Sequence, residues 1–175
     1  MSEIAQTSKN NVLTDITFRQ ATAEDALAVW QAVQQAGTLE VNTAYFYLVF
    51  CTDFSDTCLV AEHEGSIIGF VVGYHPPQQT ETAFCWQIGM IPAWQGKGLG
   101  QRLLAAWLAL PGNQHVTWLT ATVADDNAAS DALFRRFADK LGVACEVTPH
   151  FTEALLQPGH RPEPLYRIGP IHSAR

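Results

Sequence analysis

In the first part of the chain, segments whose apolar residues have the spacing of a strand alternate with segments that have the spacing of a helix. The segment ITFRQAT (16–22) has the pattern of a short strand, and Thr22 is placed to cap a helix, with Asp25 in the capping-box region. This helix is predicted to run to about Gln35 and to stop at Gly37. Its apolar side consists of Ala26, Trp30 and Val33.

A second helix is predicted after Asn42, a suitable N-cap residue. Its apolar face at i, i+3 and i+4 spacing consists of Tyr45, Leu48 and Val49. Two apolar runs joined at Glu64-Gly65 then predict a hairpin that ends at Pro76-Pro77. The next strand, 82–91, alternates between one face with Phe84, Trp86, Ile88 and Met90 and another with Cys85, Gln87, Gly89 and Ile91.

The second part of the chain contains a glycine-rich loop followed by a helix that ends near Ala109, where Pro111-Gly112 stops it. VTWLTATV (116–123) has the continuous apolar character of a buried strand. The following helix is capped by Asn127 and closed at Gly142. Its inward residues are predicted to be Leu133, Phe134, Phe137 and Leu141. The last predicted strands are VACEV (143–147) and EPLYRIG (163–169).

This order of elements predicts a single α/β domain of the mixed α+β kind, with a mostly antiparallel central sheet flanked by helices. We place the domain at 15–170, with a flexible polar tail at 1–14 and a short C-terminal tail at 171–175. A chain of 175 residues is long enough to bury a sizeable core in one domain.

Charge and hydropathy narrow the classes of function. The formal net charge of −7 argues against a nucleic-acid partner, because phosphates require a face rich in lysine and arginine. The charge is compatible with a cationic small molecule, although many cytosolic proteins are acidic as well. No apolar run is long enough to span a membrane, and the N-terminus lacks a signal pattern, so no membrane partner is expected.

The cysteines and histidines do not indicate a metal site or a disulfide framework. The four cysteines contain no C-x-x-C pair, and the six histidines are scattered without an H-E-x-x-H motif. We therefore expect no metal and a reducing, cytoplasmic compartment.

The segment IPAWQGKGLGQRLL (91–104) carries the clearest functional signal. A strand that leads into a glycine turn and then a helix presents free N–H groups at the positive end of the helix dipole, which favours an anion. Because glycine has no Cβ, phosphate oxygens can approach its backbone. A side chain at Gly98 or Gly100 would obstruct that approach.

Two common phosphate-binding loops do not fit this segment. A Walker A loop requires Ser or Thr after its lysine, whereas Lys97 is followed by Gly98. A dinucleotide fingerprint requires G-x-G-x-x-G near the start of the domain, whereas this chain has G-x-G-x-G in mid-chain.

The pattern Gln95-x-x-Gly98-x-Gly100 resembles the Q/R-x-x-G-x-G/A motif of the GCN5-related N-acetyltransferase (GNAT) superfamily. Later in the chain, DNAASDALF (126–134) is similar to the N-x-x-S/A-x-x-L-Y/F helix of that superfamily. The order of elements from 16 to 169 also matches. A simple glycine turn before a core helix does not account for both motifs.

The resemblance implies acetyl-CoA as co-substrate, with its pyrophosphate on the N–H groups of 95–100 and added charge from Lys97 and Arg102. The pantetheine arm would lie between splayed strands at 84–91 and 116–123, and a backbone N–H near Gly89 to Ile91 would bind the thioester carbonyl. The residues that the resemblance assigns to acetyl-CoA are Ile88, Met90, Gln95, Gly96, Lys97, Gly98, Leu99, Gly100, Asn127, Ser130 and Phe134.

A narrower resemblance covers about 16 to 170. LEVNTAYFYLVFCTDFSDTCLVAE (39–62), the strand FCWQIGM and the closing EPLYRIGP are similar to segments of the L-2,4-diaminobutyrate acetyltransferases, which make N4-acetyldiaminobutyrate for the compatible solute ectoine. Glu40 stands where that family commonly has Asp, which lengthens the arm and bears on the preferred diamine. Gly89 and Met90 replace a small apolar pair, and of the closing acidic stretch Glu163 carries over, with His160 as a further candidate.

Such a substrate has two ammonium groups and one carboxylate, so its site requires carboxylates and an aromatic wall. The resemblance assigns the substrate to Glu40, Asn42, Tyr45, Tyr47, Trp86 and Glu163. Trp86 can pack against the methylene chain or a cation. Trp86 also suits a core position between sheet and helix, and Glu40 also suits a charge at a helix start.

Acyl transfer requires a neutral amine, whereas an alkyl ammonium has a pKa of about 10. The proton would pass to Glu40 or Glu163, directly or through water, and the amine would attack the thioester directly. The catalytic set is then Glu40, Tyr45, Trp86 and Glu163. Phe134 stands where the superfamily often has a tyrosine acid, so Tyr45, Tyr47, a water or unassisted departure must serve the leaving thiolate.

Two alternatives stay open at this level. One is an acetyltransferase for another small amine, such as a polyamine, an aminoglycoside or a protein N-terminus. The other is a non-catalytic acyl-CoA-binding module, which Phe134 favours because it removes the usual acid. A homodimer is also expected, since the C-terminal strand of such domains often pairs across a dimer.

Overall fold

The computed structural model describes residues 15–171 of the chain. The predicted tail 1–14 lies outside the described residues, and of the predicted tail 171–175 only Ile171 is described. The Ile171 N–H donates to the Thr117 carbonyl at 2.7 Å, and its side chain packs against the core. The folded part therefore includes Ile171.

Across the described range, seven strands form one sheet and four helices cover its faces. The strands are β1 (Thr17–Gln20), β2 (Cys58–His63), β3 (Ser66–Tyr74), β4 (Thr82–Met90), β5 (Trp118–Thr122), β6 (Ala144–Phe151) and β7 (Glu163–Gly169). The helices are α1 (Ala26–Ala36), α2 (Ala44–Asp53), α3 (Leu99–Leu108) and α4 (Ala128–Leu141).

The strand order is β1-β2-β3-β4-β5-β7-β6, and every neighbouring pair is antiparallel except β4 and β5. Helices α3 and α4 bury Trp107 and Phe137 against one face of the sheet. Helices α1 and α2 bury Val33 and Tyr47 against the other, around Phe70. The predicted fold class, a mixed and mostly antiparallel sheet flanked by helices, is confirmed.

Helix α1 begins and ends as predicted. The Thr22 N–H donates to Asp25 Oδ2 at 2.8 Å, which completes a capping box before a short 3₁₀ turn leads into the helix. Gly37 closes the helix in the left-handed conformation, at φ 73°.

The predicted cap and buried face of α2 are wrong. Thr43, not Asn42, caps the helix by accepting a hydrogen bond from the Phe46 N–H at 3.3 Å. Tyr45 and Leu48 are exposed, and the buried residues are Tyr47, Phe50 and Cys51. The sequence AYFYLVFC is apolar on every side, so its period does not indicate which face packs on the sheet.

The predicted hairpin between β2 and β3 is confirmed. Its two turn residues, Glu64 and Gly65, have φ values of 49° and 75°. Both values are positive, as a two-residue hairpin turn of type I′ requires.

The predicted alternation of β4 is wrong because the strand contains a β-bulge. Val72 pairs with Gln87 and Gly73 pairs with Cys85, so Trp86 is an extra residue on β4. Beyond the bulge the faces exchange. Ile88 and Met90 therefore share the α3–α4 core with Cys85, whereas Gln87 and Gly89 face the α1–α2 side together with Phe84 and Trp86.

Helix α4 is capped by Asn127 and closed by Gly142, and Phe134 and Phe137 are buried, as predicted. Leu141, predicted to face inward, is 39% exposed. It lies in the last turn beside the edge strand β6, where none of the described elements covers it.

Candidate active site

Strands β4 and β5 separate soon after they meet. Their pairing runs from Thr82 with Trp118 to Phe84 with Thr120 and ends there, whereas β4 continues to Met90 while still paired with β3. The bulge at Trp86 bends β4 directly beyond the last paired residue. The result is a wedge-shaped opening between the two strands, which we call the cleft.

The backbone of β4 presents alternate residues to the cleft. The Ile91 N–H donates to the Ile68 carbonyl at 3.0 Å, so in an antiparallel ladder Gly89 and Gln87 also bond towards β3. Ile88 and Met90 therefore direct their N–H and C=O groups to the cleft. The expectation of a carbonyl-binding N–H among 89–91 narrows to Met90, because the Ile91 N–H is already bonded.

The glycine loop lies at the end of the cleft, immediately before α3. Gly96 and Gly98 have φ values of 72° and 75° and no atom within 4 Å of a Cβ built on them, so their requirement for glycine is conformational. Gln95 donates its Nε2 to the Met90 carbonyl at 3.0 Å, which ties the loop to β4. Leu99 opens α3, whose first N–H groups are free to bind an anion.

Gly100 also has a role in helix packing. A Cβ at this position would lie 2.9 Å from Leu133 Cδ1 on α4. The absence of a side chain lets α3 and α4 pack closely here, and the expected place of Gly100 beside the pyrophosphate stays a prediction.

The two predicted basic residues both rest on aromatic rings. Lys97 Nζ is 4.8 Å from the centre of the Trp94 ring, and the Arg102 guanidinium is 5.0 Å from the Phe18 ring. His63 packs on the same Trp94 ring at 4.8 Å between centroids. Lys97 is exposed beside the glycine loop.

The start of α4 follows β5 and faces the same part of the molecule. Asn127 Oδ1 accepts the Ser130 N–H at 3.0 Å, so this side chain caps the helix. Phe134 is only 2% exposed and lies 6.1 Å from the Tyr166 ring. Burial and a hydrogen bond to Asp131 raise the pKa of Tyr166 to about 12.

The loop between α1 and α2 lies over β4 and carries Glu40. Leu39 Cδ1 would be 2.9 Å from a Cβ at Gly89, so the loop rests directly on the strand beside the cleft. Gln87 Nε2 donates to the Glu40 carbonyl at 2.7 Å, which fixes the backbone at this position, and the Glu40 side chain is exposed. Asn42 contributes backbone atoms, because its carbonyl accepts the Trp30 Nε1–H at 3.1 Å.

Tyr47, predicted to contact the substrate, is fully buried. Its hydroxyl donates to Gln87 Oε1 at 2.9 Å and accepts the Asn42 N–H at 3.4 Å. Desolvation raises the pKa of Tyr47, so its phenol stays neutral at physiological pH.

Trp86 extends from the bulge into a group of aromatic rings. It is 45% exposed and lies 5.6 Å from Phe46 and 6.4 Å from Tyr74 between ring centroids. Tyr45 is 73% exposed on the outer side of α2, so its neighbour Phe46 supplies the ring next to Trp86.

Glu163 lies at the start of β7, which pairs with β5 on the side away from β4. Thr122 Oγ1, at the end of β5, donates to Glu163 Oε2 at 2.6 Å. His160 Nε2 is 3.7 Å from Glu163 Oε1. Glu40 therefore lies on the loop over β4, and Glu163 is held beside the end of β5.

The three buried cysteines do not provide a nucleophile. Burial raises the pKa of Cys51 to about 11 and that of Cys58 to about 12, and it raises the pKa of Cys85 further. A buried thiol of this kind holds its proton and is a poor nucleophile. Among residues 15–171 no group of three or more His, Cys, Asp or Glu side chains is placed to hold a metal ion.

Sequence reasoning missed three residues at this site. Gln87 was expected only as part of an alternating strand face, Thr122 as part of a buried strand, and Phe46 was not considered. Each acts through its position relative to the bulge or the end of β5, which no local pattern reveals.

Residues 22–138 match the Acetyltransferase (GNAT) family. The chain belongs to this family. The matched range includes the splayed strands and the glycine loop, and the predicted identity of the chain as an N-acetyltransferase is confirmed.

The acetyltransferase is similar over nearly its whole length to proteins named L-2,4-diaminobutyric acid acetyltransferase. That of Halalkalibacterium halodurans is 38% identical over 173 residues, which cover 98% of this chain and 90% of the relative. That of Marinococcus halophilus is 37% identical over 97% of this chain and 98% of the relative.

A solved structure with the same fold is that of the diaminobutyrate acetyltransferase EctA from Paenibacillus lautus, in complex with its substrate L-2,4-diaminobutyric acid and coenzyme A. It superimposes with a TM-score of 0.85 at 30% identity and covers 91% of this chain and 98% of its own. None of the helices between residues 15 and 171 is long and apolar enough to cross a lipid bilayer.

Proposed function

We propose that this enzyme transfers the acetyl group of acetyl-CoA to the N4 amine of L-2,4-diaminobutyrate, giving N4-acetyl-L-2,4-diaminobutyrate for ectoine synthesis. The observation that carries the proposal is the similarity over 98% of the chain to enzymes named for this substrate. The geometry agrees with it, because β4 and β5 separate as a cleft for an acyl-CoA requires, and the loop over β4 and the end of β5 each hold a glutamate that suits an ammonium group.

The donor site combines the glycine loop with the open edge of β4. We assign the pyrophosphate to the backbone of 95–100, where Gly96 and Gly98 adopt the required φ values and α3 begins. The backbone of Ile88 and Met90 would bind the pantetheine arm and the thioester carbonyl. Asn127, Ser130 and Phe134 shape the adjacent wall at the start of α4.

The acceptor site combines Glu40, Trp86 and Glu163. Glu40 and Glu163 would bind the two ammonium groups, and the exposed part of Trp86 would contact the short methylene chain. We assign Tyr45, which is exposed on α2, to the rim of this site. Asn42 and Tyr47 act from beneath the loop rather than on the substrate.

The reaction requires removal of one proton from the attacking ammonium. We assign this step to Glu163, because its carboxylate is held by Thr122 and faces His160, which gives a path for the proton away from the cleft. Acetyl-CoA supplies the activated acyl group that the neutral amine attacks. The hydroxyls of Tyr47 and Tyr166 already donate within the protein, and Tyr45 is exposed on the outer side of α2. We therefore assign to water the transfer of the proton that the nitrogen loses after attack, which water would pass to the departing thiolate.

The test is a turnover assay with acetyl-CoA and L-2,4-diaminobutyrate that follows thiol release, with the acetylated nitrogen identified by NMR. N4-acetyl product at millimolar diamine supports the proposal. Product only with a polyamine, an aminoglycoside or a peptide N-terminus would move the enzyme to another acceptor. Coenzyme A binding without turnover on any amine would indicate a binding module.

We also propose a homodimer, a cytoplasmic location and one acetyltransferase domain over 15–170, with Ile171 packed at its C-terminal edge. The edge strand β6 is largely exposed over its eight residues and presents Val147 and Phe151 beside an exposed Leu155, which supports pairing with a second copy. Light scattering on wild type and Val147→Lys measures the mass.

The four free thiols suit a reducing compartment, and cell fractionation tests this location. Limited proteolysis tests the domain boundaries.

A further inference from the structure

A buried polar pair connects β4 with the loop that carries Glu40. Gln87 is 6% exposed and Tyr47 is fully buried. The Tyr47 hydroxyl donates to Gln87 Oε1 at 2.9 Å, and Gln87 Nε2 donates to the Glu40 carbonyl at 2.7 Å. The amide of Gln87 is therefore used at both ends, and each of its bonds crosses from the sheet to another element.

The loop at 38–43 depends on side chains for its backbone hydrogen bonds. It forms neither helix nor strand, so its polar backbone groups need other partners. Gln87 donates to the Glu40 carbonyl, and the Tyr47 hydroxyl accepts a hydrogen bond from the Asn42 N–H at 3.4 Å. Trp30 donates to the Asn42 carbonyl at 3.1 Å. Two of these three anchors belong to the Gln87–Tyr47 pair.

Gln87 occupies a particular place on β4. It follows the bulge residue Trp86 directly and precedes Ile88, the first residue whose backbone faces the open cleft. Its own backbone pairs with Val72, so the strand is fixed at this point. One side chain thus links the strand that lines the donor site to the loop that carries a carboxylate of the acceptor site.

We propose that Gln87 and Tyr47 are positioning residues that set the place of Glu40 relative to the open edge of β4, and through it the place of the acceptor amine. This inference rests on the proposed function for the identity of the acceptor. It reassigns Tyr47 from substrate contact to support of the loop, because its hydroxyl is bonded and its ring is buried.

The first arm of the test is steady-state kinetics on Gln87→Met and Tyr47→Phe, which keep the shape of each side chain and remove the hydrogen bonds. We expect the KM for diaminobutyrate to rise roughly tenfold, as loss of a buried hydrogen bond at the site predicts. The KM for acetyl-CoA should stay within about twofold. Because the two residues act in one network, the effects in the double variant should be less than additive.

Asn113→Leu is the matched control. Asn113 is a buried amide that donates to the Trp107 carbonyl at 2.8 Å and pairs with His75 at 2.8 Å, in the turn after α3. Its replacement removes the same number of bonds from the core and should leave the KM for diaminobutyrate unchanged. An equal rise of that KM in Asn113→Leu, or equal effects on both substrates in Gln87→Met, would reduce the pair to ordinary core residues and overturn the inference.

The second arm does not depend on turnover. Hydrogen exchange followed by mass spectrometry should show faster exchange of the segment 38–43 in Gln87→Met and Tyr47→Phe, but not in Asn113→Leu. If wild type fails to acetylate diaminobutyrate, the proposed function fails, and this arm still decides whether the pair holds the loop. Unchanged exchange of 38–43 in both folded variants overturns the inference. If Gln87→Met does not fold, Tyr47→Phe decides.

Discussion

Individual side chains near the cleft differ in how far they are buried and hydrogen-bonded within the protein. Trp86 contacts several rings but keeps 45% of its surface exposed, whereas Tyr47 is entirely enclosed. Glu163 holds one fixed hydrogen bond from Thr122 and leaves its second oxygen towards His160. The side chains that keep exposed surface or an oxygen without a protein hydrogen bond, such as Trp86 and Glu163, are the ones that can contact a ligand.

Trp86→Ala should raise the KM for diaminobutyrate or abolish turnover, because it removes the aromatic surface next to the acceptor. Phe54→Ala is the control, since Phe54 is 42% exposed and stacks on Phe50. Steady-state kinetics at several diamine concentrations measure the effect. Normal kinetics for the Trp86 variant would remove this residue from the acceptor site.

Glu163→Gln should lower kcat/KM for the diamine by about 10²-fold at neutral pH, the usual size of a lost general base. Glutamine still accepts the Thr122 hydrogen bond, so the loss reports on charge and proton transfer rather than on folding. Glu146→Gln on exposed β6 provides the control. Equal rates in the two variants would assign the proton to another group, with Glu40 next to be tested.

Among the elements, α3 and α4 approach each other closely at Gly100, which has no side chain. Gly100→Ala would bring a Cβ to 2.9 Å from Leu133 Cδ1, the end of a side chain that must shift to make room. We expect a loss of about 1 kcal/mol of stability, because the cost of overpacking exceeds the gain in helix propensity. Urea unfolding measures it, and the same substitution in a Leu133→Ala background should cost less. An equal cost in the two backgrounds would contradict the contact.

The elements also show what the sequence can predict and what it cannot. The hairpin at Glu64-Gly65 and the caps of α1 and α4 follow from local turn and capping residues, so they were correct. The bulge at Trp86 was missed because residues 84–91 alternate perfectly as a sequence. Gly73, where the register shifts, lies against Trp107 of α3, and a local pattern does not reveal such a long-range contact.

The candidate active site shows the same contrast between features that are local in the sequence and features that depend on remote contacts. The glycine loop was located from a local motif, and the network of Gln87, Tyr47 and Glu40 was not, because its members are separated by up to 47 positions. The buried face of α2 could not be chosen from its period, as Tyr45 and Tyr47 are equally suitable in composition. Long-range packing decides such cases.

For the molecule as a whole, the ion pairs at the start of the domain determine part of its acid stability. The Arg19 guanidinium hydrogen-bonds Asp25 at 2.7 and 2.8 Å and holds the pKa of that carboxyl below its ordinary value. Between the folded and unfolded pKa values the unfolded chain binds more protons, so this contribution is complete above about pH 4 and lost as the pH falls below it.

Asp25→Asn should therefore reduce stability at pH 7 and flatten the decline of stability below about pH 4. Urea unfolding at a series of pH values from 7 to 3 measures both effects. Asp53→Asn, at the exposed end of α2, provides the comparison. A variant whose stability fell with acid as steeply as wild type would show that other carboxylates govern the transition.

Coenzyme A should raise the melting temperature of the whole protein. A ligand at about 100 times its Kd adds about 2.7 kcal/mol, which corresponds to roughly 5–10 °C for a domain of this size. Thermal unfolding with coenzyme A and with pantetheine alone separates the contribution of the phosphates. An absent shift with both compounds would contradict the donor site.

The short pairing of β4 with β5 has a mechanical consequence. The sheet consists of two parts, one of β1 to β4 and the other of β5, β7 and β6. They are hydrogen-bonded to each other only from Thr82 to Phe84 of β4. Acetyl-CoA bound along the open edge of β4 would form hydrogen bonds there in place of those that β4 and β5 do not form with each other. The donor would then act as a temporary strand that joins the two parts of the sheet, and this connection would be lost with its departure after each turnover.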